Sequence, residues 1–191
     1  MVAGTSTSEP TRAESVGAVV ELVRPGNVVM AGVGAIVGAL VAAGPGAWLS
    51  VAAAALATAL VTAGGNAVND VTDRRIDERA HPGRPIPSGR LSAKAASAIA
   101  AAAFALALGL AAGVSWPLVA VVAAAQVLLI GYEGLWKARG LVGNVVVASL
   151  VGATFVAGAV AVGRVTPPVG FLAGLAFLAN VAREVWGWRA R

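Results

Sequence analysis

Asp70, Asp73 and Asp77 recur at intervals of three and four residues in the segment NDVTDRRIDERAHPGRPIPSGR, residues 69–90, and Asn66 and Asn69 stand just before them. On a helix, successive residues rotate by about 100°, so these five fall within an arc of roughly 100°. One face then carries only amides and carboxylates. Carboxylates stacked on one helix face repel each other, so a cation must sit against them. Arg74, Arg75, Arg79, Arg84 and Arg90 supply one source, as a salt-bridge cluster at a helix end. The other is a hard divalent cation: Mg²⁺ takes one or two protein carboxylates and leaves its remaining positions to water and substrate phosphate. The second source accounts for more. A polar face that begins inside an apolar helix is costly unless it lines a cavity, and such residues mark functional sites. His81, the only histidine, is expected to be a solvated loop residue.

The elements that position this face are read from the rest of the chain. Of its 191 residues, 58% are hydrophobic and 12% charged, half the charge of an ordinary soluble domain, so it is read as a membrane protein. No charge occurs between Arg24 and Asp70, Lys94 and Glu133, Arg139 and Arg164, or Arg164 and Arg183. A bilayer-spanning helix needs about 20 residues. The first two gaps hold two such helices each, divided at AAGPGAW (42–48) and GVSWP (113–117). An all-α, multi-span transmembrane bundle of six helices follows, near 25–43, 48–70, 91–113, 117–133, 141–163 and 168–186. Continuously apolar runs exclude a barrel, whose strands alternate. Abundant Gly and Ala would permit close helix approach, or reflect genome composition. Residues 1–15 are expected to form a disordered tail ahead of a membrane domain over 16–191, with no signal-peptide pattern before the first span.

Thirteen of the 14 Lys and Arg residues fall on one side of this six-span arrangement, Arg164 alone on the other. Cytoplasmic loops retain basic residues, so both termini and both charged loops are expected in the cytoplasm, with the chain in the cell membrane. Trp48, Trp116, Trp136, Trp186 and Trp188 all lie near expected helix ends, as an interfacial belt requires. The net charge of +5 on that face suits anionic lipid headgroups or phosphorylated substrates, and no nucleic-acid partner is expected. Without cysteine the chain has no disulfides or thiolate metal sites.

NDVTDRRID resembles the first aspartate-rich motif, NDxxDxxxD, of the UbiA-type membrane prenyltransferases, and HPGRPIPSGRLS is similar to the loop that follows it in that family. LVRPGN (22–27) resembles the family's opening Arg-Pro segment, and GYEGLWKARGLVGN (131–144) its Tyr, Lys and Gly-Asn pattern. The resemblance covers 22–186. Within the family, ELVRPGN, GGNAVND and LANVARE look most like the archaeal enzymes that transfer a geranylgeranyl group to geranylgeranylglyceryl phosphate.

The resemblance implies a bundle of about nine helices, six of them here, around a cavity in which Mg²⁺ bridges aspartates to the diphosphate of an allylic prenyl donor. It assigns metal binding to Asn69, Asp70, Asp73 and Asp77, with Asn66 beside them. Arg84 and Lys137 are placed on phosphate oxygens, and Tyr132, Asn144 and Asn27 line the pocket. It also implies a second aspartate-rich motif after the sixth span. Arg183 and Glu184 are present where that motif is approached, but no second acid cluster follows. The expectation is a C-terminally truncated enzyme, weak or inactive alone, or one completed by a partner chain or a full-length form. Prenylation of an aromatic quinone precursor, a Mg²⁺ and diphosphate binding module without turnover, and a non-catalytic membrane scaffold are the alternatives.

Overall fold

The structure, a computed structural model, describes residues 12–137 and 139–189. It contains seven α-helices: α1 (Arg12–Val23), α2 (Pro25–Ala43), α3 (Trp48–Ala80), α4 (Ala93–Ala112), α5 (Trp116–Gly131), α6 (Leu141–Ala161) and α7 (Pro167–Arg189). A π-helical turn, Tyr132–Trp136, extends α5. Five helices are long and apolar enough to cross a membrane: α2, α3, α4, α5 with its π-turn, and α6. The sixth expected span is α7, a 23-residue helix whose stretch Pro167–Arg183 is apolar.

Two elements depart from the sequence reading. Helix α1 is absent from that reading, and the proposed tail lies outside the described residues only as far as residue 11, since Arg12–Ser15 form the first turn of α1. Helix α3 runs ten residues beyond its expected end at 70, so the acid face is helical throughout. Ser92 and Ser115 start α4 and α5 by accepting hydrogen bonds from the N–H groups of Ala95 and Leu118, as N-cap residues do.

Helix α3 packs against α2 and α4, α2 packs also against α6, and α6 against α7. At the α2–α6 crossing the helices meet backbone to backbone. A Cβ at Gly38 would collide with the carbonyl of Phe155, and one at Gly158 with the carbonyl of Ala35. Lipid gives no hydrophobic drive to associate, and small residues let dispersion act across such a contact. The glycines therefore have a packing function at this crossing. A core of Ala54, Ala57, Val61, Leu118, Val122 and Ala157 joins α3, α5 and α6. Where the backbone leaves α3, Pro85 is fully buried, and Ile86 and Leu91 pack on Leu22, Ala67 and Ala96. The loop after α3 is thereby fixed to α1, α3 and α4.

Candidate active site

The acid face of α3 meets three cations brought from three other segments. Arg24, between α1 and α2, has φ 54 and ψ 76, a left-handed conformation rare outside glycine. Holding it there costs on the order of 1–3 kcal/mol, a strain typical of functional positions. It aims the guanidinium at α3: Nη2 donates to Asp70 Oδ1 and, at 3.2 Å, to Asn69 Oδ1. Arg84, in the anchored loop, donates from Nη1 to Asp77 Oδ2 at 2.6 Å and lies 3.8 Å from Asp70 Oδ1. Lys137, just past the π-turn, donates from Nζ to Asp73 Oδ2 at 2.6 Å and to Glu133 Oε2 at 2.8 Å. Glu133 also accepts from Asn69 Nδ2 at 2.9 Å. Asn66 Nδ2 donates to the carbonyl of Val23 at 2.7 Å, tying α3 to the end of α1.

Asp70 and Asp77 are only 4% and 3% exposed, which makes these pairings obligatory, because a buried carboxylate without a partner is strongly destabilising. Burial also opposes the charge on Lys137, but its hydrogen bonds to Asp73 and Glu133 and the charges of both carboxylates outweigh it. The pKa of Lys137 is raised above its ordinary 10.5. His81 is exposed, as expected, with Nδ1 3.2 Å from Asp77 Oδ1.

Of the five arginines from 74 to 90, Arg84 is thus the one bonded to the acid face among the described residues. Arg74 donates to the carbonyl of Val71, and Arg90 joins Glu21 Oε2 at 2.7 Å and the carbonyl of Gly83. The other two cations, Arg24 and Lys137, come from the segments before α2 and after α5.

Beside this face opens a cavity of about 850 Å³ bounded by α2, α3, α5, α6 and α7. Arg24, Asn27, Asn66, Asn69, Tyr132 and Glu133 line its polar end. Val61, Val122, Leu150 and Ala157 line its apolar depth. Arg84, Lys137 and Asn144 are not among its walls. Asn144, in the first turn of α6, has a buried Nδ2 with no hydrogen-bond partner among the described residues. From α7 the cavity receives Asn180, whose Oδ1 is buried and likewise unpartnered, and Arg183. Arg24, Glu133, Asn180 and Arg183 are not among the site residues expected from sequence, although all four stand in the segments LVRPGN, GYEGLWKARGLVGN and LANVARE that carry the family resemblance.

A helical membrane bundle with a charged mouth over an apolar chamber can hold an amphiphile by both ends. The chain belongs to the UbiA prenyltransferase family, whose sequence model matches residues 31–186. It is 45% identical over 170 residues to the digeranylgeranylglyceryl phosphate synthase of Methanopyrus kandleri, which covers 88% of this chain and 61% of that one. To the synthase of the same name from Natronomonas pharaonis it is 43% identical over 172 residues, covering 90% and 62%. A solved structure concerned with digeranylgeranylglyceryl phosphate synthase in membranes superposes with a TM-score of 0.84 at 28% identity, covering 90% of this chain and 62% of that one. A UbiA homologue from Archaeoglobus fulgidus, bound to GPP and Mg²⁺, shares the fold with a TM-score of 0.71 at 18% identity, covering 86% and 60%. The chain spans about three fifths of the length of the curated relatives it matches. Family and apolar helices together make it an integral membrane protein.

Proposed function

We propose that this chain contributes the aspartate-rich wall of a Mg²⁺-dependent site that transfers a geranylgeranyl group from its diphosphate to geranylgeranylglyceryl phosphate, in archaeal ether-lipid synthesis. The observation that carries the reading is the acid face with its three cations, beside a cavity that Asn66, Asn69 and Arg24 of this cluster line while Asp70, Asp73 and Asp77 stand behind them, outside its walls. The relatives named above favour the lipid-phosphate acceptor over an aromatic one.

The residues fit a hard cation. Asn69 Oδ1 and Asp70 Oδ1 converge on one nitrogen, Nη2 of Arg24, so two oxygens already point at a single positive group. Among the described residues no group of three or more His, Cys, Asp or Glu forms a closed metal cage. Mg²⁺ does not need one, since one or two carboxylates suffice when diphosphate supplies further oxygens. Asn69, Asp70 and Asp73 would hold it. Asp77, the fourth member of the expected set, keeps Arg84 and His81 as its partners.

Bound there, the metal would supply Lewis-acid stabilisation of the charge growing on the leaving diphosphate oxygens. The protein's own groups do the rest. Arg24, Arg84 and Lys137 offer N–H donors to phosphate oxygens, Arg as a planar fork and Lys as a point charge. The apolar depth of the cavity takes the prenyl tail and excludes water from the allylic cation left when the diphosphate departs. Tyr132 and Asn27, at the polar end, face the reacting carbon or the acceptor. We place this end on the cytoplasmic side, where the basic residues cluster.

The resemblance implies a second acid cluster, and Glu184 is the one acid in the sequence after Glu133. This chain spans about three fifths of the length of its curated relatives, so binding and turnover are tested separately. Calorimetry in detergent, with Mg²⁺ and a non-hydrolysable prenyl diphosphate, tests the site. Binding that Asp73→Ala abolishes supports it, and indifference to that change rejects it. Radiolabelled geranylgeranyl diphosphate offered to a full-length form with both acceptors tests the chemistry. Label on the glyceryl phosphate lipid is expected, and label only on a hydroxybenzoate ring would reject the ether-lipid assignment.

A further inference from the structure

Glu133 is the one carboxylate of the cluster that lies outside the α3 acid face. Its side chain is only 5% exposed, and it bridges two groups of the proposed site, Asn69 and Lys137. The π-turn presents it: the N–H of Lys137 donates to the carbonyl of Tyr132, five residues back, at 2.9 Å. Such turns recur at functional sites because they rotate side chains out of the ordinary helical sequence of directions.

The bridge fixes which end of the Asn69 amide faces the cation position. A carboxylate only accepts hydrogen bonds and a guanidinium only donates them. With Glu133 on one side and Arg24 on the other, the NH₂ of Asn69 must turn to Glu133 and its Oδ1 to Arg24. The types of donor and acceptor around the amide settle its orientation. Reversed, the amide would present hydrogens to any cation placed beside Asp70. Glu133 also holds Lys137 against Asp73.

We infer that Glu133 is a positioning residue, which sets the amide of Asn69 oxygen-first toward the metal and anchors Lys137 for the diphosphate; the inference rests on the reading of this face as a metal-diphosphate site. Groups that orient metal ligands in this way typically change metal affinity by about 10- to 100-fold when removed.

A reciprocal swap tests it. The probe is the 1:1 complex of Mn²⁺ with inorganic diphosphate, titrated calorimetrically into the detergent-solubilised 191-residue chain. Glu133→Gln should weaken binding about tenfold or more, because Asn69 and Lys137 bond to different oxygens of Glu133 and the glutamine turns an NH₂ donor toward one of these two donors. Asn69→Asp should also weaken it, by facing one carboxylate with another. The double variant restores the bridge with its polarity reversed. The introduced glutamine amide then donates to the new carboxylate and accepts from Lys137, and the affinity should return to within about threefold of the parent. A merely structural role would instead make the double variant the worst of the three. Parent-level binding by Glu133→Gln, or a double variant that loses the product of the two single losses, overturns the inference. If Asp73→Ala abolishes binding in the same assay, the metal-site reading survives that outcome. Absence of binding by the parent chain overturns both.

Discussion

Arg84 and Asp77 show how the cluster divides its charges between holding the fold and waiting for a ligand. Asp77 lies 3% exposed, so Arg84→Ala strands a buried carboxylate beside an exposed His81. Losing one partner of an enclosed pair costs about 3–5 kcal/mol. Arg84 is itself 30% exposed, and solvent screening lowers the expected loss to about 2–3 kcal/mol. Adding Asp77→Asn removes the stranded charge and should recover about half of that loss, read by reversible unfolding in mixed micelles. Lys137 behaves differently with pH. Its folded pKa is raised, so its contribution to stability is complete below the ordinary 10.5 and disappears only as pH climbs through the raised value. Unfolding midpoints of the parent and Lys137→Met should therefore differ by a constant amount from neutral pH to about 10, and converge only above that range. The acid face was legible because its residues share one helix and one period. Its partners were only partly so: Arg24 and Glu133 are separated from Asp70 and Asn69 by 46 and 64 positions in sequence, and no local pattern announces such a pairing.

Helices α2 to α6 could be read from sequence because a bilayer dictates their length and apolarity, and both are counted directly on the chain. Helix α1 could not, since Glu14 and Glu21 interrupt any apolar run and it is tied down by tertiary contacts, Leu22 buried in the α3–α4 cluster and Arg90 on Glu21. The last ten residues of α3 lie past the end of the apolar span at 70, and there the three- and four-residue spacing of the aspartates, not apolarity, is the signal that the helix continues. What holds the apolar helices together is tested at the glycines. Gly158→Ala must push its methyl into the carbonyl of Ala35, and should destabilise by about 1–3 kcal/mol through separation of α2 from α6. Gly109, exposed in α4 with open space around its Cβ position, is the control. Gly109→Ala should be neutral or stabilise by up to about 1 kcal/mol, from helix propensity alone. Equal effects at the two positions would show that backbone contact between α2 and α6 carries no stability of its own.

For the whole molecule, the asymmetry of basic residues bears on which way the chamber opens. Arg24, Arg84 and Lys137 gather at one end of the bundle, while the α6–α7 connection carries only Arg164. Translocating the arginine-rich loop would cost far more than translocating one arginine, so the end bearing the site is expected to remain in the cytoplasm. There the donor diphosphate would reach the mouth directly from solution while its tail enters the chamber. The absence of cysteine makes this measurable. Gly83→Cys sits in the loop after α3, with nothing near its Cβ position, and Val165→Cys in the exposed α6–α7 turn. In intact cells a membrane-impermeant maleimide should label Val165→Cys and leave Gly83→Cys untouched until the membrane is opened. The reverse pattern would put the acid face outside, away from any cytosolic supply of prenyl diphosphate, and would remove the physical basis for assigning it that substrate.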